Sequence, residues 1–369
     1  MFRFKILMTL FFLPVALAAG YFFNLNKNIK DQKPEIKTDD LSIRASIPYW
    51  VQTDAVKSLN ENYKQISSLS LFWYFIDNDG KLAKYADATE DKKIIEFAHE
   101  KGIKVSAVIT NLPEDENTSW DSDLVERNIS TKEDRDKHIG EIIKIGKSLP
   151  FDGITIDYEE VDENFREEYT DFISELAQSL YREKLFLGVA LHPKSGENKI
   201  SENNGSRSQD WTALAKAADE LYIMGYGEHW QQSRAGPIAS IGWLEEILMY
   251  ADSLNLPLNK FYLGLPMYGL DWNRDDDQSA EGLSYRDIYE LLSSKSIQED
   301  WDNLVASPYF EYTDDEEEEH VVWYENARSI RSKMTLARKF GFKGVNFWHL
   351  GGEDPAIWND IKSKNYRLE

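Results

Sequence analysis

The chain has no cysteine. Disulfides, thiolate metal sites and a cysteine nucleophile are therefore excluded. Positive charge is short: 42 Lys and Arg stand against 65 Asp and Glu, a formal net charge of -23. A field of that sign repels nucleic-acid phosphates and anionic lipid surfaces, so no nucleic acid is expected as a partner. Histidine is sparse, with six residues, and no paired-ligand spacing points to a metal. No Gly-rich phosphate turn follows an early strand candidate, which argues against a nucleotide-binding open sheet. No internal repeat stands out. Aromatic residues, by contrast, are plentiful: 11 Trp, 19 Tyr and 18 Phe. Rings in such number pack cores, and they also stack on the C–H faces of sugars.

Long apolar runs are confined to the N-terminus. Arg3 and Lys5 precede an uncharged stretch from Ile6 to Phe23. Residues 1–23 therefore read as an export signal. Ala16-Leu17-Ala18 offers a cleavage site, but the apolar run continues past it towards the length of a membrane span. Both a cleaved signal and an uncleaved anchor stay open, and both put the remainder of the chain outside the cytoplasm. Residues 24–41 read as a polar linker. Residues 42–369 carry the folded unit. The acidic run Asp314–Glu319 reads as a solvated loop.

From Ile43 onward, short β-rich runs alternate with longer amphipathic ones. Eight strands are predicted: Ile43–Tyr49, Ile66–Phe75, Lys104–Ile109, Gly153–Asp157, Leu185–Leu191, Glu220–Tyr226, Phe261–Tyr268 and Gly344–Trp348. Helical periodicity fills Asp91–Lys101, Asn164–Lys184, Ile241–Leu254 and Asn326–Phe340, with Gly102 and Gly341 as stop signals. Eight alternating units point to an α/β fold, a (β/α)8 TIM barrel. The gap between strands seven and eight is too long for a loop. Residues 270–323 read as a small α+β insertion, with a helix at Tyr285–Leu292 and strand-like pieces at Leu304–Ala306, Tyr309–Tyr312 and His320–Tyr324.

The most informative stretch is Phe151–Glu159, FDGITIDYE. On a two-residue period, Ile154, Ile156 and Tyr158 share one face, and Thr155, Asp157 and Glu159 the other. Unpaired carboxylates are costly to bury, so two in series at a barrel strand's C-terminal end, where such folds hold their active sites, suggest catalysis. Aromatics gather at the other strand ends: Tyr49, Trp73, Tyr226, Tyr268 and Trp348. Acids ringed by aromatics suit a carbohydrate cleft.

These residues resemble glycoside hydrolase family 18, the chitinase-like hydrolases. Asp152, Gly153, Asp157 and Glu159 match the family's D-G-x-D-x-D-x-E signature, with Thr155 at the position of its middle acid. Met224 and Tyr226 match M-x-Y-D, with Gly227 in place of the Asp. Ile47–Trp50, Gly264–Gly269 and Gly344–Trp348 extend the likeness. Gly236–Ala239 and Gly352–Pro355 are similar to bacterial cell-wall and spore-cortex N-acetylglucosaminidases. Acids two apart on one strand sit roughly 7 Å apart on one side of a bound sugar, so a third group must attack the anomeric carbon. The resemblance implies that it is the substrate's own N-acetyl oxygen. It also implies that Glu159 is the general acid and base, that Asp157 orients the acetamido group, and that Tyr226 binds its oxygen. Tyr49, Trp73, Met224, Tyr268 and Trp348 would contact the sugar, and Asp152, Gly153 and Thr155 would complete the motif. The expected substrate is β-1,4-linked N-acetylglucosamine in chitin or peptidoglycan, cleaved with retention by a monomer that needs no cofactor. A catalytically silent, lectin-like barrel is the alternative, because Thr155 and Gly227 depart from the pattern.

Overall fold

The computed structural model describes residues 40–89, 91–114, 119–197, 205–274 and 280–367. The predicted signal or anchor, and the linker up to residue 39, lie outside these residues. Among the described residues no helix is long and apolar enough to cross a membrane.

Eight parallel strands close into a barrel: β1 Ser42–Pro48, β2 Ser68–Ile76, β4 Lys104–Thr110, β5 Gly153–Asp157, β6 Phe186–Leu191, β7 Glu220–Ile223, β8 Phe261–Pro266 and β14 Gly344–Trp348. Pairing of β1 with both β14 and β2 completes the ring. β3, Leu82–Lys84, folds back antiparallel on the end of β2. Every residue of β2 is buried, as expected of a parallel strand covered on one side by helices and on the other by the barrel interior.

The connecting helices are α1 Gln52–Asn62, α2 Lys92–Glu100, α3 Ser122–Ile129, α4 Lys132–Ser148, α5 Arg166–Arg182, α6 Trp211–Ala217 and α7 Ile241–Ser253. Most start on a side chain that satisfies a free backbone N–H. Asp91, Asp121, Thr131, Asp210 and Ser240 each accept from the first turn of the helix they open. Capping thus fixes where the loops after β3, β4, β6 and β7 turn into helices, whereas α1 and α5 open without a side-chain cap.

The insertion spans Gly269–Tyr324. It is a five-stranded antiparallel sheet ordered β10-β9-β13-β12-β11, with β9 Gly269–Asn273, β10 Glu281–Leu283, β11 Asp300–Asp302, β12 Ser307–Thr313 and β13 Glu319–Tyr324. Helix α8, Tyr285–Ser294, opens on a capping box of Ser284 and Asp287 and packs Ile288 against Phe310, Val322 and Tyr324. The strand expected at Leu304–Ala306 is instead a turn. Asp302 Oδ1 accepts from the N–H of Leu304 at 2.7 Å and turns the chain there, so the strand precedes it. Helix α9, Ala327–Lys339, leads back to β14, and α10, Ile357–Ser363, packs Trp358 against Phe347 of β14.

Candidate active site

β5 ends at Asp157, and its alternation sends side chains to opposite sides. Tyr158 turns outward beneath the helices, where its hydroxyl meets His138 Nε2 at 2.7 Å. Asp157 turns inward, and its Oδ1 is buried with no hydrogen-bond partner. Glu159 follows at the mouth, with its side chain 18% exposed. Its backbone is clamped by Asn111, a fully buried residue just beyond β4: Asn111 Nδ2 donates to Glu159 O at 2.9 Å, and Glu159 N–H donates to Asn111 Oδ1 at 2.8 Å. Glu160 then turns away in the left-handed region, with φ of 59°. Gly205 packs on that turn so closely that a Cβ would lie 2.7 Å from Glu160 N.

Burial governs the electrostatics. It pushes the Asp157 carboxyl up to about 7. Glu159 is driven well above the usual glutamate range by burial, and further by the Asp157 and Glu160 carboxylates. The pair therefore holds a proton where an exposed pair would have lost both. His192 Nδ1 stands 4.0 Å from Glu159 Oε2. Burial and nearby Lys194 push that imidazole down to about 3, so it is neutral beside the acid. Tyr226 is held as a phenol by burial and by the Asp157 and Glu159 charges. Its ring lies 6.4 Å from that of Trp348, nearly parallel at 19°. Gly264 makes room for it: a Cβ there would come within 3.0 Å of Tyr226 Cε1.

Two spaces meet at Trp348. A cleft of about 580 Å³ runs between barrel and insertion, walled by Trp50, Trp230, Tyr268, Arg286 and Trp348. Beneath it, a small cavity reaches into the barrel, lined by Asp157, Met224, Tyr226, Thr155 and Arg44. Glu159 lines neither space. Asp157 and Tyr226, which line the cavity, are close enough to interact with it.

The structure thus gathers Asp157, Glu159, Tyr226, Met224, Tyr268 and Trp348 at one end of the barrel. Trp73 is not among them. Its ring is 0% exposed, its indole N–H donates to Gln52 Oε1 at 2.9 Å and it packs on Phe151. Alternation gives the inward place to Phe72, whose ring stands 5.7 Å from Trp348. Tyr49 stacks on Tyr85 at 4.5 Å, while its neighbour Trp50, 49% exposed, faces the cleft. Asp152 lies at the opposite end of β5, accepting from Val105 N–H at 2.8 Å. A Cβ on Gly153 would strike Phe186 at 2.5 Å. Glu228 does not stand in for the acid missing at Gly227. Its two oxygens accept from the N–H and hydroxyl of Ser240 at the start of α7.

The model of the glycosyl hydrolases family 18 matches residues 49–353. The chain is 27% identical to the uncharacterized glycosylase YvbX of Bacillus subtilis over 310 residues, which cover 84% of this chain and 88% of that protein. It is also 27% identical to the cortical fragment-lytic enzyme of Bacillus anthracis over 296 residues, covering 79% of this chain and 66% of the other. A chitinase from Chromobacterium violaceum superposes with a TM-score of 0.79 at 26% identity, covering 89% of this chain and 99% of its own. With the family's model matched across most of the barrel and the acid pair at its mouth, the chain belongs to glycosyl hydrolase family 18 and is a glycosidase.

Proposed function

We propose that the protein hydrolyses β-1,4-linked N-acetylglucosamine glycans with retention, using the substrate's acetamido oxygen as nucleophile. One observation carries this reading. Asp157 and Glu159 project from one strand end, and burial keeps a proton on the pair. An ordinary pair of glycosidase carboxyls flanks the scissile bond from both sides, which two neighbours on one strand do not. Glu159 donates its proton to the leaving oxygen and then takes one from the incoming water. Asp157 accepts the acetamido N–H and faces the positive charge that develops on the ring. The Tyr226 phenol donates to the acetamido oxygen. Trp348, shared by cleft and cavity, forms the floor under the reacting sugar, with Trp50 and Tyr268 along the approach. The N-terminal segment takes this domain out of the cytoplasm to a polymeric substrate, chitin or peptidoglycan.

The test is turnover of fluorogenic chitobioside and chitotrioside and of purified peptidoglycan, with product anomers followed by NMR. Glu159→Gln is expected to lose at least about a hundredfold in kcat with KM nearly kept, and the parent's first product is the β-anomer. Binding of chitooligosaccharide without turnover by the parent on any of these substrates would instead establish a lectin-like barrel. The departures at Thr155 and Gly227 keep that second reading in view.

A further inference from the structure

A buried cation lies in the barrel under the acid pair. Arg44, on β1, is 1% exposed. Its Nη2 donates to Thr155 Oγ1 at 2.8 Å and to Ser106 Oγ at 2.9 Å. Its guanidinium covers the Tyr222 ring at 4.1 Å, and its Nη1 is 3.8 Å from Glu220 Oε2. Glu220 is itself paired with Lys343 at 2.6 Å. Nη1 is nevertheless buried without a hydrogen-bond acceptor, as Asp157 Oδ1 is buried without a donor. Both residues line one cavity of about 30 Å³, whose walls are polar at Ser46, Ser70, Thr155 and Asn346. A polar space of that size takes one water, which needs two to four partners. Leaving a guanidinium N–H and a carboxylate oxygen unsatisfied costs more than making one hydrogen bond gains. A water that accepts from Arg44 Nη1 and donates to Asp157 Oδ1 satisfies both.

We propose that Arg44 is a positioning residue for the reaction, the counter-charge of Asp157, acting through that water and held in place by Thr155. The inference rests on the role of Asp157 proposed above. A carboxylate at 155 would share charge with Asp157. A threonine cannot, and the arginine beneath it supplies a permanent positive charge instead. Burial raises the Asp157 carboxyl and so favours a neutral form that could not face a developing cation; a guanidinium bridged to it would work against that. The other groups facing Asp157 are Glu159 on its own strand, Tyr226 beyond β7, Tyr85 beyond β3 and Tyr169 on α5. They are an acid and three phenols, and none is cationic.

The experiment is the pH dependence of kcat for the parent, Arg44→Met, Arg44→Lys and Thr155→Val, together with a high-resolution crystal structure of the parent. Arg44→Met is expected to lower kcat about tenfold and to move the acid limb to higher pH by about one unit, because Asp157 then protonates sooner. Arg44→Lys restores most of the limb's position. Thr155→Val, nearly isosteric, moves it less and in the same direction. Asp157→Asn removes that limb, and in its background Arg44→Met adds no shift. The crystal structure shows one water bonded to both Arg44 Nη1 and Asp157 Oδ1. An unmoved limb in Arg44→Met, with stability alone reduced, makes Arg44 a core residue and overturns the proposal. Where Arg44→Met does not fold, an unmoved limb in Thr155→Val with no bridging water overturns it equally. Parental turnover by Glu159→Gln would sink the underlying reading instead. Loss in Glu159→Gln with an unmoved limb in the Arg44 variants sinks this inference alone.

Discussion

Asn111 decides where Glu159 can stand. Two hydrogen bonds from one amide pin both polar groups of the Glu159 backbone, and the side chain leaves the mouth of the barrel from that fixed point. The proposed reaction needs Glu159 to deliver its proton over a short, aligned distance, and displacement of about 1 Å costs up to a hundredfold in rate. Asn111→Ala is therefore expected to lower kcat about tenfold or more while leaving KM near the parent's. It should also destabilise the fold by about 1–3 kcal/mol, the cost of stranding buried polar groups. Steady-state kinetics and urea unfolding check the two parts. The role of Asn111 was not legible in the sequence, because a lone polar residue after a strand carries no mark of the partner it finds 48 positions later. Arg44 was hidden for the same reason: only closure of the ring brings β1 against the interior face of β5. Phe151–Glu159 was legible because Asp157 and Glu159 lie at and just past the end of one strand, and alternation alone separates Asp157 from Tyr158. Alternation also corrects Trp73. Phe72 takes the inward place on β2, so its neighbour lies in the helix layer.

The elements themselves were legible wherever a hydrophobic period and a stop signal coincide. Gly153–Asp157 and Gly344–Trp348 stand at their predicted bounds, and Gly102 and Gly341 both adopt the positive φ of helix ends. The insertion was less so. β9 and β10 are short; β10 pairs with β9, and β9 pairs in turn with β13, whose nearest register partners, Asn273 and His320, are far apart in sequence. Propensity has little to say about such pairs. The joint between insertion and barrel rests on a feature that sequence reading misses altogether. Lys333 of α9 and Glu325, just beyond β13, form an ion pair with side chains 0% and 1% exposed. Neither partner tolerates the loss of the other. Lys333→Met strands a buried carboxylate and is expected to cost about 3–5 kcal/mol, whereas the double change Lys333→Met with Glu325→Leu recovers most of that loss. Denaturant melts of the single and double variants measure it. Equal loss in both would show that the pair holds the joint by packing and not by charge.

At the scale of the whole molecule, the raised acids tie stability to pH. Glu159 keeps its proton in the folded state at pH values where the unfolded chain has released it. From the ordinary glutamate range upward the folded state binds more protons, so stability falls as pH rises through that window. Glu159→Gln removes the penalty. The variant should melt several degrees above the parent at about pH 8, with the gain shrinking towards about pH 4; parallel melting curves across that range would mean that Glu159 titrates as an exposed acid does. The net charge of -23 sets the second global property, the approach of substrate. A field of one sign repels polymers of the same sign, and the repulsion weakens as the Debye length shrinks from about 30 Å at 0.01 M salt to about 8 Å at 0.15 M. Chitin oligomers are neutral, whereas intact peptidoglycan carries carboxylates on its peptides. Turnover of a chitooligosaccharide should therefore be nearly flat with added sodium chloride. On intact peptidoglycan kcat/KM should climb several-fold over the same range, through KM and not kcat. Added salt that lowered kcat/KM on peptidoglycan would point to a local basic contact that outweighs the global field, with Arg286 in the cleft wall the first residue to replace.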